Sequence, residues 1–214
     1  MSATASEGLR ERKKRETREA IGRTAMKLFA QRGFDAVTVA DVADAAGVSE
    51  KTVFNYFPAK EDLVLHRGAE RLEALMAAIR GRSAGASLVE PFRDVTMQFL
   101  DHVASGSVDA IVAVQRLVAG SRSLRDRLFL AWEEEAALLT PVIADDAGAA
   151  ADDLVAAVVA RTLAWTHRLV FRSALRRLLA GEHPPTVAAD LRVEADRAYD
   201  LLDAGLVGYG ADPG

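Results

Sequence analysis

The chain has 214 residues, half of them hydrophobic, with a formal net charge of −4 and no cysteine. That length suits one domain of ordinary size or a small domain fused to a larger one, and the apolar share excludes a disordered chain. The lack of cysteine excludes a disulfide framework, a thiol nucleophile and a thiolate metal site; with no apolar run of roughly 18 residues and no apolar signal core at the start, a cytoplasmic protein without a membrane partner is expected.

Charge is segregated along the chain. Residues 1–67 carry 12 Lys/Arg against 10 Asp/Glu, whereas residues 68–214 carry 15 against 21. A slightly basic head on an acidic body suits a protein that brings one end to nucleic acid. Residues 1–13 read as a basic flexible arm, and Arg10, Arg12, Lys13, Lys14, Arg15 and Arg18 form the densest basic cluster. Interleaved Glu11, Glu16 and Glu19 also allow an ordinary solvated helix start. Almost every segment repeats at helical period and none alternates as a strand, so the fold class is all-α, with about nine helices.

Residues 14–60 carry the informative motif. From Lys14 to Arg32, Ile21, Ala25, Leu28 and Phe29 mark one apolar stripe, closed by Gly33. Thr38 with Asp41 three residues later starts a helix over Val39–Ala46 as a capping box does, Gly47 breaks it, and Ser49 caps a helix over Glu50–Phe57. Two short helices meeting at a glycine turn make a helix-turn-helix, whose second helix enters the major groove. Val39, Val42, Ala43, Val48 and Val53 are spaced to bury against Ile21, Leu28 and Phe29, which leaves Lys51, Thr52 and Asn55 outward. Asn can pair with adenine, Lys can donate to guanine and the Thr methyl can pack on thymine. Thr38 and Ser49 at helix N-termini, with Tyr56 and Lys60 beyond the reading helix, suit phosphate contact. Spacing by itself also fits two packed helices that never meet DNA.

Residues 61–209 read as a helical body and 210–214 as a tail. Pro58, with Glu61 and Asp62 following, predicts the start of a helix running to Arg80, and residues 81–87 predict a loop. Further helices are expected over Leu88–Ala104, Val108–Ala119, Ser123–Thr140 with a kink or break at Pro141, Leu154–Ala180 and Thr186–Val207. Met97, Phe99, His102, Gln115, Trp132, Trp165 and His167 could line an apolar cavity with a few polar groups, although each suits plain core as well. Leu154, Val158 and Trp165 form one stripe, and Val187, Leu191, Ala195, Ala198 and Leu202 another; together they suit a four-helix dimer interface, or else the subunit's own core. The four histidines lack metal-ligand spacing and no catalytic motif is present, so no enzyme, metal or cofactor is expected.

The runs Thr38-Val-Ala-Asp-Val-Ala, Ala46-Gly-Val-Ser and Thr52-Val-Phe-Asn-Tyr-Phe-Pro-Ala-Lys-Glu-Asp-Leu63, with Ala25, Leu28, Phe29, Gly33 and Phe34 before them, resemble the tetracycline-repressor family. The resemblance implies a homodimer of all-helical subunits. Three N-terminal helices would bind double-stranded operator DNA, and a divergent body would dimerise and take a small-molecule effector. Carried over by position, it assigns base or groove contact to Lys51, Thr52 and Asn55, and phosphate contact to Thr38, Tyr56 and Lys60. Phe54 stands where the family usually has Tyr, so the phosphate bond of that hydroxyl is missing. Residues 121–182 and the FNYFPAKED segment are similar to the actinobacterial regulators related to the mycofactocin-operon regulator. That likeness implies an acyl-CoA-like effector, with Arg116, Arg122, Arg168 and Arg172 available to its phosphates. The implied mechanism is a repressor released from a pseudo-palindromic operator by its effector. An activator, or a helix-turn-helix fold acting through a protein partner, is the alternative.

Overall fold

The computed structural model describes residues 8–206 except 66 and 84. These residues form the helices α1 (Leu9–Arg32), α2 (Val39–Ala46), α3 (Glu50–Tyr56), α4 (Asp62–Leu65), α5 (Arg67–Arg80), α6 (Glu90–Ala104), α7 (Asp109–Gly120), α8 (Arg122–Asp146), α9 (Leu154–Leu179) and α10 (Pro184–Gly205). The all-α class is as read from the sequence, and the chain divides into two compact units. One is Met1–Arg67 with Arg116–Arg127, the head; the other is Gly68–Gln115 with Leu128–Gly214, the body.

In the head, α1 packs on α2 and α4, and α2 packs on α3. Ile21, Ala25 and Phe29 recur every fourth residue along α1 and are buried, together with Val42, Ala43, Val53, Phe57 and Leu63. The Phe29 and Phe34 rings meet at 5.0 Å between centroids. Each large side chain so buried stabilises the unit by about 1.5–3 kcal/mol relative to exposure. Residues 8–13 belong to helix rather than to an arm, because α1 begins at Leu9 and is laced by exposed pairs such as Arg12–Glu16 at 3.8 Å and Arg23–Glu19 at 3.3 Å. The rest of the expected arm, residues 1–7, and the tail, 210–214, lie outside the described residues.

The head is also not the continuous segment 14–60. The corner between α7 and α8 joins it, with Leu124 fully buried, the Ser121 hydroxyl donating to Asp35 at 2.9 Å and Arg127 Nε donating to Asp62 at 3.1 Å. The helix expected to start at Pro58 starts instead at Asp62. Phe57 closes α3, and the Asp62 carboxylate accepts the Ala59 N–H at 3.1 Å, so residues 58–61 form a turn before α4. Nor does Pro141 end its helix. Both Pro141 and Ala137, whose carbonyl loses its helical donor, are exposed to water, and the buried Val142, Ile143 and Ala144 carry α8 onward to Asp146.

In the body, α6 packs against α9 and α10, and α9 packs against α10. Phe92, Leu100 and Val103 from α6 share one core with Ala156, Ala160, Leu163 and Ala174 from α9 and Val187, Leu191, Ala195 and Tyr199 from α10. By length and composition α9 could cross a membrane, its most apolar window reaching a mean hydropathy of 1.3; in this fold one of its faces is body core. The stripes expected at a dimer interface separate accordingly. Leu191 and Ala195 are 2% and 1% exposed and belong to the core of their own subunit, because the small residues of α10 let α6 and α9 approach closely. Ala198 and Leu202 are half-buried beside them. Leu154, Val158 and Trp165 instead lie on the outer face of α9.

Candidate nucleic-acid interface

The helix-turn-helix is set by three local devices. Thr38 Oγ1 accepts the Asp41 N–H at 3.1 Å, while the Asp41 carboxylate accepts the Thr38 N–H at 2.8 Å and its hydroxyl at 2.7 Å, a complete capping box for α2. The Thr38 backbone N–H, the Thr38 hydroxyl and Arg32, 3.3 Å away, hold the Asp41 carboxyl at about 2. Gly47 then takes φ 68, a left-handed conformation that glycine adopts without penalty, and the Val48 N–H closes on Ala43 O at 3.0 Å. Ser49 Oγ accepts the Thr52 N–H at 3.1 Å and opens α3.

Val53 pins α3 to the head core. Lys51 and Asn55, one turn apart, point outward and make no hydrogen bond or ion pair among the described residues. Phe54 stands on the same outward face, with 45% of its surface exposed. The other expected contact residues are partly engaged. Thr38 spends its hydroxyl proton on Asp41, and the Thr52 hydroxyl is 2.8 Å from that of Ser49, so Thr52 faces its own cap. Lys60 sits over the Phe34 ring at 4.3 Å and Tyr56 is half-buried, which fixes both at the end of the reading helix. Arg32, which steadies the acid of the cap, went unremarked in the sequence; its pairing with Asp41 spans nine residues and leaves no periodic signal.

The expected cavity residues scatter. His102 is exposed, Gln115 is half-buried, and Met97 and Phe99 pack against the body core. Trp132 and Trp165 stack edge to face at 5.7 Å with the Arg168 guanidinium over both rings. Of the seven, His167 lines a narrow cleft of about 10 Å³, room for one water, walled by Leu72, Leu75, Phe92 and Ala164, with Arg71 and Glu135 also lining it. Burial keeps the His167 imidazole down at about 3, with Arg71 and Arg168 adding to the effect. Its Nδ1 lies 2.9 Å from Thr96 Oγ1, which also contacts the Tyr199 hydroxyl at 2.7 Å. The four arginines expected to meet acyl-CoA phosphates are divided between the two units, and Arg172 is exposed. Arg168 is buried and paired with Glu135 at 3.0 Å, and Arg116 and Arg122 belong to the head unit.

Comparison with known proteins follows the same division. The profile of the bacterial regulatory proteins of the tetR family matches residues 21–66, from the middle of α1 to just past α4. The chain is similar to the HTH-type transcriptional regulator TcmR of Streptomyces glaucescens, 31% identical over 151 residues that cover 68% of this chain and 67% of that one. It is also 25% identical over 201 residues, 91% of this chain and 93% of the other, to the Mycobacterium tuberculosis protein named as the mycofactocin biosynthesis transcriptional regulator MftR. A TetR-family regulator of Streptomyces coelicolor has the same fold, with a TM-score of 0.55 at 21% identity over 92% of this chain and 99% of that one.

Proposed function

This chain belongs to the tetR family of bacterial regulatory proteins and is a helix-turn-helix transcriptional regulator, and from that premise we propose that it represses by occupying a pseudo-palindromic operator as a homodimer, read in each half-site by Lys51 and Asn55. The observation that carries this reading is the outward face of α3, where two polar side chains one turn apart stand free beside a fully formed cap-turn-cap. Asn55 is suited to the paired donor and acceptor of adenine, and Lys51 to the acceptors of guanine. The Phe54 ring offers an apolar surface to a thymine methyl or a sugar in place of a hydroxyl. Tyr56, Lys60 and the N-terminal turns after Thr38 and Ser49 flank this face and serve the phosphates, which fix register without reading sequence.

Dimerisation is assigned to the outer face of α9, where Leu154, Val158, Trp165 and Leu169 present apolar surface. Two heads on such a dimer fall on successive major grooves when half-sites lie about one helical turn of DNA apart. An effector held in the body favours a head spacing that no longer fits, and by linkage operator DNA weakens effector binding by the same factor. No catalytic step is assigned. The test is footprinting on the DNA upstream of the protein's own gene, with Lys51→Ala and Asn55→Ala beside the wild type. Each variant is expected to lose roughly tenfold to a hundredfold in affinity, the worth of one specific base contact, with its thermal stability unchanged. Wild-type affinity in both variants would remove α3 as the reading helix.

A further inference from the structure

The helix sorts the basic cluster at the start of α1 into two faces, and only one of them is spent within the protein. Arg12, Glu16, Glu19 and Arg23 recur at steps of four and three along one face and pair with each other, Arg12 with Glu16 at 3.8 Å and Arg23 with Glu19 at 3.3 Å, while Arg15 reaches Glu19 at 4.0 Å. Lys14 and Arg18 stand on the other face, because steps of four, three and four lead from Lys14 through Arg18 and Ile21 to Ala25. From Ile21 onward that stripe is buried core of the head; ahead of Ile21 the same stripe carries two cations. Neither makes a hydrogen bond or an ion pair among the described residues. Lys14 is exposed, whereas Arg18 is half-buried and lies over the Phe57 ring at 5.0 Å. That contact spends none of its N–H donors, and Phe57 is the residue that closes α3. The Arg10 side chain lies outside the described residues.

Resting on the reading of the head as DNA-binding, we propose that Arg18 and Lys14 grip phosphates of the DNA backbone beside the C-terminal end of α3, so that α1 widens the footprint of the reading helix without reading sequence. A half-buried guanidinium with no carboxylate beside it carries an unneutralised charge, and its donors form a fixed fork that matches phosphate oxygens. Its seat on Phe57 restricts its rotamers before DNA arrives, so less entropy is lost on contact. Lys60 is held in the same way over Phe34, in the turn that follows Phe57, and two ring-seated cations thus attend the exit of α3. Lys14, one turn ahead of Arg18, prolongs the strip along α1.

The test is fluorescence anisotropy of two labelled duplexes, the DNA upstream of the protein's own gene and an unrelated sequence of equal length, titrated with the full chain at a series of salt concentrations. Each phosphate contact adds about 0.9 to the slope of log affinity against log salt. Arg18→Gln and Lys14→Gln should therefore each lower the slope by about 0.9 per bound head on both duplexes, while the ratio of the two affinities stays at its wild-type value. Arg18→Lys, which keeps the charge, should recover most of that slope. Asn55→Ala should do the reverse, lowering the ratio and leaving the slope alone. Replacing single phosphates of the upstream duplex by neutral methylphosphonate should reveal one whose loss weakens the wild type but not Arg18→Gln. If Arg18→Gln melts lower because Phe57 is uncovered, Lys14→Gln, at an exposed position, carries the same test. Wild-type slopes in the folded variants overturn the inference and leave Arg18 as a cover for Phe57. The two readings fail separately: a chain that prefers the upstream duplex with its slope unmoved by the variants loses only this inference, and one that binds both duplexes alike with the slope moving as expected loses only the operator reading. A chain that binds neither duplex at low salt loses both.

Discussion

Asp41 holds the first turn of α2 through two atoms of Thr38 and is itself steadied by Arg32. Its carboxyl titrates at about 2 in the fold against 3.8 when free, so the stability it contributes is complete above about pH 4 and is lost as pH falls through its folded value. Asp41→Asn should be less stable than wild type at neutral pH and should lose this acid-side dependence, as followed by chemical denaturation at a series of pH values. An unchanged pH profile in the variant would refute the assignment. Thr96 plays the corresponding part in the body. Thr96→Val keeps the shape but leaves the Tyr199 hydroxyl and His167 Nδ1 unpartnered, and should cost about 1–3 kcal/mol for each orphaned group, measured by urea unfolding, while Thr96→Ser recovers most of it.

Among the elements, the turn between α2 and α3 depends on one backbone conformation. A methyl group at Gly47 would meet nothing within 4 Å, so Gly47→Ala tests the left-handed φ of 68 alone. It should destabilise the head by about 1–2 kcal/mol on thermal unfolding and weaken operator binding with it, because the angle between the two helices is set there. This part of the fold was legible in the sequence because every decision in it is taken within three or four residues: Thr38 with Asp41, Gly47, and Ser49 with Thr52. The outward placement of Lys51 and Asn55 followed from the same short-range periodicity. What the sequence hid depends on distant partners. The start of α4 at Asp62 rather than at Pro58 follows from the Asp62 carboxylate, which serves both Ala59 and Arg127. Thr96 meets partners 71 and 103 residues away, so His167 could be listed among the candidates for a cavity but Thr96, Tyr199 and Arg71 could not. The stripe on α10 was read correctly as apolar, but periodicity carries no information on which of two surfaces it meets, and Leu191 and Ala195 turned inward.

At the scale of the whole molecule, the charge of −4 conceals a head, Met1–Arg67 with Arg116–Arg127, that carries 16 Lys/Arg against 11 Asp/Glu, so the head's local field favours approach to DNA. In the proposed dimer, the apposition of two heads is set at the outer face of α9, where Val158 is exposed. Val158→Glu, at a site 56% exposed, should leave the melting temperature of the subunit nearly unchanged yet give monomer by sedimentation at micromolar concentration, with loss of binding to a two-half-site operator. A persisting dimer would move the interface elsewhere. The corner at 116–127 has a different consequence, for how this protein can be recombined with others. A cut after Arg67 removes Leu124 and Val118 from the interior of the head and strips Asp35 and Asp62 of the donors Ser121 and Arg127. The DNA-reading module is therefore not portable as a leading segment, and a chimera that grafts it onto a foreign body inherits an unfinished core unless it carries this corner along, so that DNA specificity and the middle of the chain are inherited together.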